Sequence, residues 1–266
     1  MAIALFFFAH WWGSVFFQTL FHHRYASHRM FTMGPRTERV VHFLAYMFQG
    51  SSYLDVRAYA LLHREHHAFS DTVRDPHSPT NHGNVMSMMM ATNERYQGYA
   101  QRKVEPEARF EGGIPEWPLM DKLGRSWTMR LGWMAAYTAF YLVFATAWWQ
   151  FLLLPVHFAM GPVHGAIVNW WGHTLGYRNF SSRDQSRNTL AFDFLTLGEL
   201  FQNNHHHASR NANFARRWFE VDPAYQLMRV MAKLGIIRLV VQPKAVVAES
   251  PELGEPDAAH EYRQAS

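Results

Sequence analysis

Charge is absent from two long stretches of this sequence. Met1 to His23 carries no Asp, Glu, Lys or Arg, and neither does Leu131 to Tyr177. A helix that crosses a bilayer needs roughly 20 mainly apolar residues. The first stretch therefore predicts one span over residues 2–21, and the second predicts two, over 131–151 and 153–174, with Pro155 and Pro162 marking the turn and an early kink. A secretory signal is the competing reading of residues 2–21. There is no basic leading segment and no small-residue cleavage site, and His23 and His28 follow at once.

Between these stretches the pattern turns amphipathic. Val40, Val41, Leu44, Met47 and Phe48 recur at helical spacing and predict a helix on the membrane surface within 37–62, interrupted at Gln49-Gly50-Ser51-Ser52. A second helix then carries His63, His66 and His67, and Asp71 to His77 reads as a loop. Residues 83–128 are polar, broken at Glu105-Pro106-Glu107 and Gly112-Gly113, and Met86, Met88, Met89 and Met90 read as packing residues. A peripheral amphipathic helix is expected within 217–240, around Tyr225, Leu227, Met228 and Met231. Residues 246–266, rich in Pro, Gly and acids, are expected to be a disordered tail behind one domain, 1–245. Every Lys and Arg lies in 24–130 or 178–263, so both segments are expected on the cytoplasmic side.

Composition adds one decisive exclusion. The 266 residues include 17 His and no Cys. A disulfide framework, an iron–sulfur cluster and a Cys nucleophile are ruled out. Any metal site must use nitrogen and oxygen donors, which suits iron, zinc, copper or manganese. The net charge of +4 is mild, no phosphate-binding motif is present, and no nucleic-acid partner is expected.

The histidines cluster. His63, His66 and His67 sit at i, i+3 and i+4 and project from one helix face. The spacing recurs as Gln202, His205 and His206, with Gln in the first slot; His23 and His28 form a third pair, and Asn169 and His173 share a face. Neutral imidazole is the commonest transition-metal ligand, and these segments read as one metal site. His23 and His28 lie about 140° apart on an α-helix and share a metal only if the helix ends there or the metal lies between them. His22, His77, His82 and His207 are expected off the site, and His10, His42, His157 and His260 are expected to be structural. His164, at membrane depth, is a functional candidate.

At these residues the chain resembles the membrane-bound acyl-CoA desaturases of the stearoyl-CoA Δ9 type. The resemblance rests on His23-Arg-Tyr-Ala-Ser-His28, on His63-Arg-Glu-His66-His67 running to Asp75-Pro76-His77, on Asn169-Trp-Trp-Gly-His173, and on Gly198-Glu199-Leu-Phe-Gln-Asn-Asn-His205-His206. It covers most of residues 15–240. It implies an all-α fold of membrane helical hairpins beneath a cytosolic helical cap, with four spans where this sequence presents three. It implies two irons: one held by His23, His28, His63, His67 and His206, the other by His66, His173 and His205, with Asn169 acting through a water. The family has His where this chain has Gln202, which either ligates through its amide oxygen or leaves the place to water.

The implied activity inserts a cis double bond into a saturated acyl chain carried by CoA, acyl-carrier protein or lipid, using O2. Unactivated methylenes offer no acid–base route, so the oxidant must come from a metal. Phe7, Phe8 and Trp11 on the first span are expected to line or close the end of an acyl tunnel. Neither a dinucleotide fingerprint nor a fused haem domain is visible, so electrons are expected from a separate ferredoxin or cytochrome with its reductase. A membrane hydroxylase shares the same metal logic and stays open as the alternative. A zinc hydrolase does not fit, because Glu65 sits one place late for His-Glu-x-x-His.

Overall fold

The structure, a computed structural model, describes residues 1–240 and is mostly helical. The boundary at 245 and the 246–266 tail lie outside the described residues. Helix α1 (Ala2–Phe17) continues without a break into a π-helix (Gln18–Ser27). Together they form a 26-residue rod that is long and apolar enough to cross a membrane. Leu5, Phe8 and Trp12 face outward along it, while Ile3, Trp11 and Val15 face inward.

Helix α2 (Pro35–Gln49) begins with Pro at its first turn, where no N–H is needed. It buries Val41 and Ala45 and exposes Val40, Phe43 and Met47, the two-sided pattern expected of a helix at an interface. It stops at Gly50, whose φ of +51° suits glycine and whose missing Cβ leaves room for the Tyr137 hydroxyl. Helix α3 (Val56–Phe69) is capped by Asp55, which accepts from Ala58 N at 2.9 Å. Helix α4 (Val85–Ala100) is capped in the same way by Asn84. Helices α5 (Pro118–Arg125) and α6 (Trp127–Phe144) lead to the second uncharged stretch.

That stretch does not form two straight spans. Helix α6 ends at Phe144, short of 151, because Ala145 is extended and Gln150 Oε1 accepts from Thr146 N at 2.8 Å to form a turn. Residues Trp148–Leu153 are 3-10, and the expected 153–174 span is two helices, α7 (Leu154–Phe158) and α8 (Met160–Thr174), broken at Ala159. The segments on either side of this break are bent by 77°. Pro162 supplies the cause: it has no N–H and its ring crowds the carbonyl four residues back, that of Phe158. The freed Phe158 carbonyl accepts from Ser51 Oγ at 3.1 Å instead. Among the described residues, then, one helix passes as a span alone, and a second does so only if the bent pair is one crossing.

The short helix α9 (Gln202–His207) follows a turn tied down by Asp193, whose Oδ2 accepts from Gly198 N and Leu200 N at 2.9 Å each. Helix α10 (Pro223–Lys233), shorter than the expected 217–240, is capped by Asp222. One departure from an all-helical fold is a two-residue antiparallel clip, β1 (Phe31–Thr32) with β2 (Arg238–Leu239), which ties the chain after the π-helix to the end of the described residues. The largest buried cluster lies under the π-helix, α2 and α10, around Phe21, Phe31, Phe201 and Phe214.

Candidate metal centre

The π-helix answers the problem posed by His23 and His28. A π-turn bonds residue i to i+5, and here His28 N donates to His23 O at 3.1 Å. Residues five apart therefore stack, and the two rings lie 4.9 Å apart, both buried. Arg64 clamps the end of the π-helix, donating to Ser27 O at 2.9 Å and Ala26 O at 2.7 Å, carbonyls left open where the helix stops. Arg24, between the histidines, turns the other way into the core. It is 0% exposed and is held by Asp222 at 3.1 Å, Ala212 O at 2.8 Å and the Phe214 ring at 4.0 Å.

Helix α3 brings His63, His66 and His67 against this turn, α8 brings His173, and α9 brings His205 and His206. Their nitrogens fall into two groups. His23, His28, His63, His67 and His205 form one, and His66, His173 and His206 form the other, with ligand atoms within 4.8 Å of one another in each. In the first group, Nε2 of His205 lies 3.0 Å from His23 Nε2 and 2.9 Å from His67 Nε2, and His28 Nε2 lies 2.7 Å from His63 Nε2. In the second, His66 and His206 meet Nε2 to Nε2 at 3.3 Å.

This corrects the assignment the resemblance implied: His205 joins the first group and His206 the second. Adjacent residues on a helix point about 100° apart, and the docking of α9 decides which way each faces. His205 packs on Phe214 and His23, whereas His206 turns to Asp184 at 2.9 Å and to His66. His207 faces away, stacked on Phe180 at 3.9 Å. His22 leaves the site too, bonded to Leu54 O at 2.8 Å.

Four acids complete the arrangement, and the sequence reading gave none of them a role. Glu199 Oε2 lies 2.5 Å from His23 Nδ1, Asp75 Oδ2 2.8 Å from His66 Nδ1, Asp71 Oδ2 2.9 Å from His173 Nδ1, and Asp184 Oδ2 2.9 Å from His206 Nδ1. Asp75, Asp71 and Asp184 each hydrogen-bond Nδ1 and turn Nε2 inward, the pattern that fixes a metal-bound imidazole, and Glu199 sets its charge against Nδ1 of His23. The available signal was position: Asp71 and Asp75 follow the second cluster within a loop, and Glu199 stands just before the third.

The electrostatics suit ligation. Burial, then the neighbouring imidazoles, hold His63, His67 and His205 well below their ordinary value, so they are neutral and offer a lone pair. Burial also lowers His206, to about 4, against the pull of Asp184. For His66, burial is outweighed by Asp75, and its value rises. Burial alone would raise the Asp75 and Asp184 carboxyls, yet His66 and His206 hold them well below the usual range, so both stay charged.

The donor set fits metal cations. A neutral imidazole carries one N–H, so nitrogens crowding together cannot all be satisfied by one another. Nε2 of His173, 3% exposed as a residue, has no hydrogen-bond partner among the described residues. Gln202 donates its amide N–H to Glu199 O at 2.6 Å and Asn169 donates to Gly165 O at 2.7 Å, which leaves two amide oxygens as the available donors.

A cavity of about 350 Å³ opens beside this cluster. His23, His63, Asn169 and Gln202 belong to its wall, together with Val15 and Val168. Phe7, Phe8 and Trp11 do not line it. Phe8 is 49% exposed against Trp12, and Phe7 packs on Trp11. Trp11 stands behind the wall, edge-on to His164 at 4.5 Å, with its Nε1 donating to Leu195 O at 2.8 Å. The inward face of α1 reaches the cavity one turn later, at Val15. His10 and His157 pair at 2.6 Å and His42 meets the Tyr53 hydroxyl at 2.8 Å, while His260 lies outside the described residues.

Comparison with known proteins agrees with this geometry. A family model described as fatty acid desaturase matches residues 1–238. The chain is 28% identical to a hex-5-enoyl-[acyl-carrier protein] acetylenase of Moorena producens, over 87% of this chain and 74% of that protein. It is 29% identical to Delta-9 desaturase-like 5 protein of Arabidopsis thaliana, over 86% of this chain and 73% of the relative. It is also 29% identical to an sn-1 stearoyl-lipid 9-desaturase of a Synechocystis strain, over 85% of this chain and 67% of that one. Two of these relatives are named as desaturases and one as an acetylenase, and this chain belongs to the fatty acid desaturase family, whose members are oxidoreductases.

Proposed function

We propose that this chain inserts a cis double bond into a saturated acyl chain at a centre of two irons. His23, His28, His63, His67 and His205 would hold one, and His66, His173 and His206, with Asn169 and Gln202 as oxygen donors, the other. The observation that carries this reading is the pair of imidazole groups backed by four carboxylates, with Glu199 and Asp75 buried, and opening on a cavity. The irons, when bound, supply O2-driven removal of two hydrogens from neighbouring methylenes, with electrons from an external ferredoxin or cytochrome and its reductase.

The protein's own share is to hold and to shield. Glu199, Asp75, Asp71 and Asp184 lock the ring orientations before any metal arrives, so little ordering remains to be done on binding. The cavity wall would seat the chain next to His23 and His63. We place the protein in the membrane as a multi-pass chain with the imidazoles and α10 on the cytoplasmic side, which the segregation of Lys and Arg supports. The acyl carrier we propose is CoA, and the regiochemistry Δ9.

One observation favours hydroxylation as a second reading. Gln202 gives the second group one imidazole fewer than the family pattern, which alters the metal's donor strength. Expression in a host making only saturated fatty acids, with mass spectrometry of its lipids and metal analysis, separates the two. A cis alkene with two irons per chain supports desaturation; an alcohol from the same labelled chain supports the rival. One zinc and no iron overturns both. Turnover of stearoyl-CoA against acyl-carrier-protein and lipid-bound chains identifies the carrier.

A further inference from the structure

The cavity leading away from the imidazoles is not a plain hydrocarbon bore. His164, on α8, belongs to its wall, is 1% exposed, and has both ring nitrogens without a hydrogen-bond partner among the described residues. Gln18, on the π-helix, lines the same cavity, and its Oε1 is likewise buried and unpartnered among them. Buried polar groups are nearly always hydrogen-bonded, and exceptions call for an explanation. Some polar groups nearby are satisfied, His10 Nδ1 by His157 and Ser52 Oγ by Gln49 O and Gly161 N, while His10 Nε2, Ser14 Oγ and the Tyr137 hydroxyl are also without a partner among the described residues but stand off the cavity wall. Away from the imidazole cluster, the unpaired groups that the cavity wall presents are those of His164 and Gln18.

Their depth is set by the helices that carry them. His164 precedes His173 by nine residues on α8, about 13 Å at 1.5 Å per residue. Gln18 precedes His23 by five, within about 8 Å. Trp11 closes on the His164 ring from behind, edge to face, so the imidazole keeps its place when its nitrogens are unpaired. A hydrocarbon chain filling this cavity would bury both groups with nothing to bond. A chain carrying an oxygen at the right carbon would satisfy them.

We infer that the acyl chain this cavity accepts carries a hydrogen-bonding oxygen, such as a hydroxyl, on the side of the reacting carbons away from the carrier, and that His164 receives it. Gln18 is the shallower of two acceptors for such a group. The inference rests on the reading of the cavity as an acyl site and names the kind of acyl chain. His164 is a specificity residue here, removed from the reacting atoms.

The test uses the full-length metal-loaded enzyme in nanodiscs with its electron donor. The probes are the octadecanoyl chain and its positional monohydroxy derivatives from carbon 11 to carbon 17, all as CoA thioesters. Wild type should favour one hydroxy isomer over the unsubstituted chain by about 5- to 150-fold in kcat/KM, the ratio set by leaving a buried polar group unpaired (about 1–3 kcal/mol). H164L should lose that preference and favour the unsubstituted chain, while H164Q, which keeps a donor and an acceptor, should retain it. If H164L does not fold, the positional series on wild type still decides. A flat series, or a preference for the unsubstituted chain, means that water satisfies His164 and overturns the inference. If no chain in the series binds by thermal shift or reacts, the acyl reading itself fails, an outcome distinct from a flat series.

Discussion

Replacing Asp75 with Asn tests whether the carboxylates serve the imidazoles or merely fill the core. Asp75 is 1% exposed. Its Oδ2 accepts from His66 Nδ1 at 2.8 Å and Asp71 N at 3.0 Å, and its Oδ1 accepts from His77 N at 2.9 Å. Asn keeps the shape but has one oxygen, so in either orientation an N–H2 group faces a donor. The loss is one charge-assisted hydrogen bond, about 1.5–3 kcal/mol. Removing a carboxylate behind a metal-bound His costs 10- to 100-fold in affinity, which is about 1.4–2.7 kcal/mol, so the two estimates agree. The loss should fall on the second group, which contains His66. In a chelator titration followed by elemental analysis, D75N should release one iron at a roughly 10- to 100-fold lower chelator concentration and keep the other. Glu65→Gln is the control: Glu65 is buried on the same helix but binds Arg95 and Tyr99. If D75N holds both metals as tightly as wild type, or if E65Q loses iron equally, the acids are not supporting ligands.

Other outcomes follow from the same geometry. His66→Ala should abolish desaturation in a whole-cell lipid assay, whereas His207→Ala, which loses only its stack on Phe180, should keep most of it; equal losses would contradict the facing assigned to α9. Arg24→Met leaves Asp222 and Glu199 buried without their guanidinium, which costs about 3–5 kcal/mol and should show as a large fall in melting temperature with the protein's metals removed. Burial, then the nearby Asp55 carboxylate, raise the Asp121 carboxyl to about 7. Its stability contribution is therefore complete below the unfolded value near 4 and lost as pH rises through 7. Asp121→Asn should match wild type at pH 4 and exceed it at pH 8 by on the order of 2 kcal/mol, about half of the roughly 4 kcal/mol of a three-unit rise because Asp121 is partly open to solvent, and an advantage independent of pH would refute the assignment.

The sequence made the centre legible in residue type but not in register. His63, His66 and His67 need only an α-helix to converge, so their spacing sufficed. His23 and His28 converge only through a π-turn, which no periodicity of side chains announces. His205 and His206 are neighbours on a six-residue helix, and their destinations depend on how that helix docks, a tertiary outcome. Absence of charge marked the apolar stretches correctly, yet the break at Ala159 needed Pro162 to be read as a bend of 77° and not as a mild kink. Phe7, Phe8 and Trp11 stand on the first span as expected, but the cavity wall is reached by Val15 and His164, set by the rotation of α1 against α8.

A π-helix is what an α-helix becomes when one extra residue is squeezed into it without a change at either end. The juxtaposition of His23 and His28 is thus written into how many residues the segment has, beyond which ones they are. Deleting a single apolar residue such as Leu20 would let the rod relax to ordinary winding and swing the first cluster out of phase with everything downstream. A point substitution at the same place leaves the phase intact. Length, at this one place, is an active-site parameter.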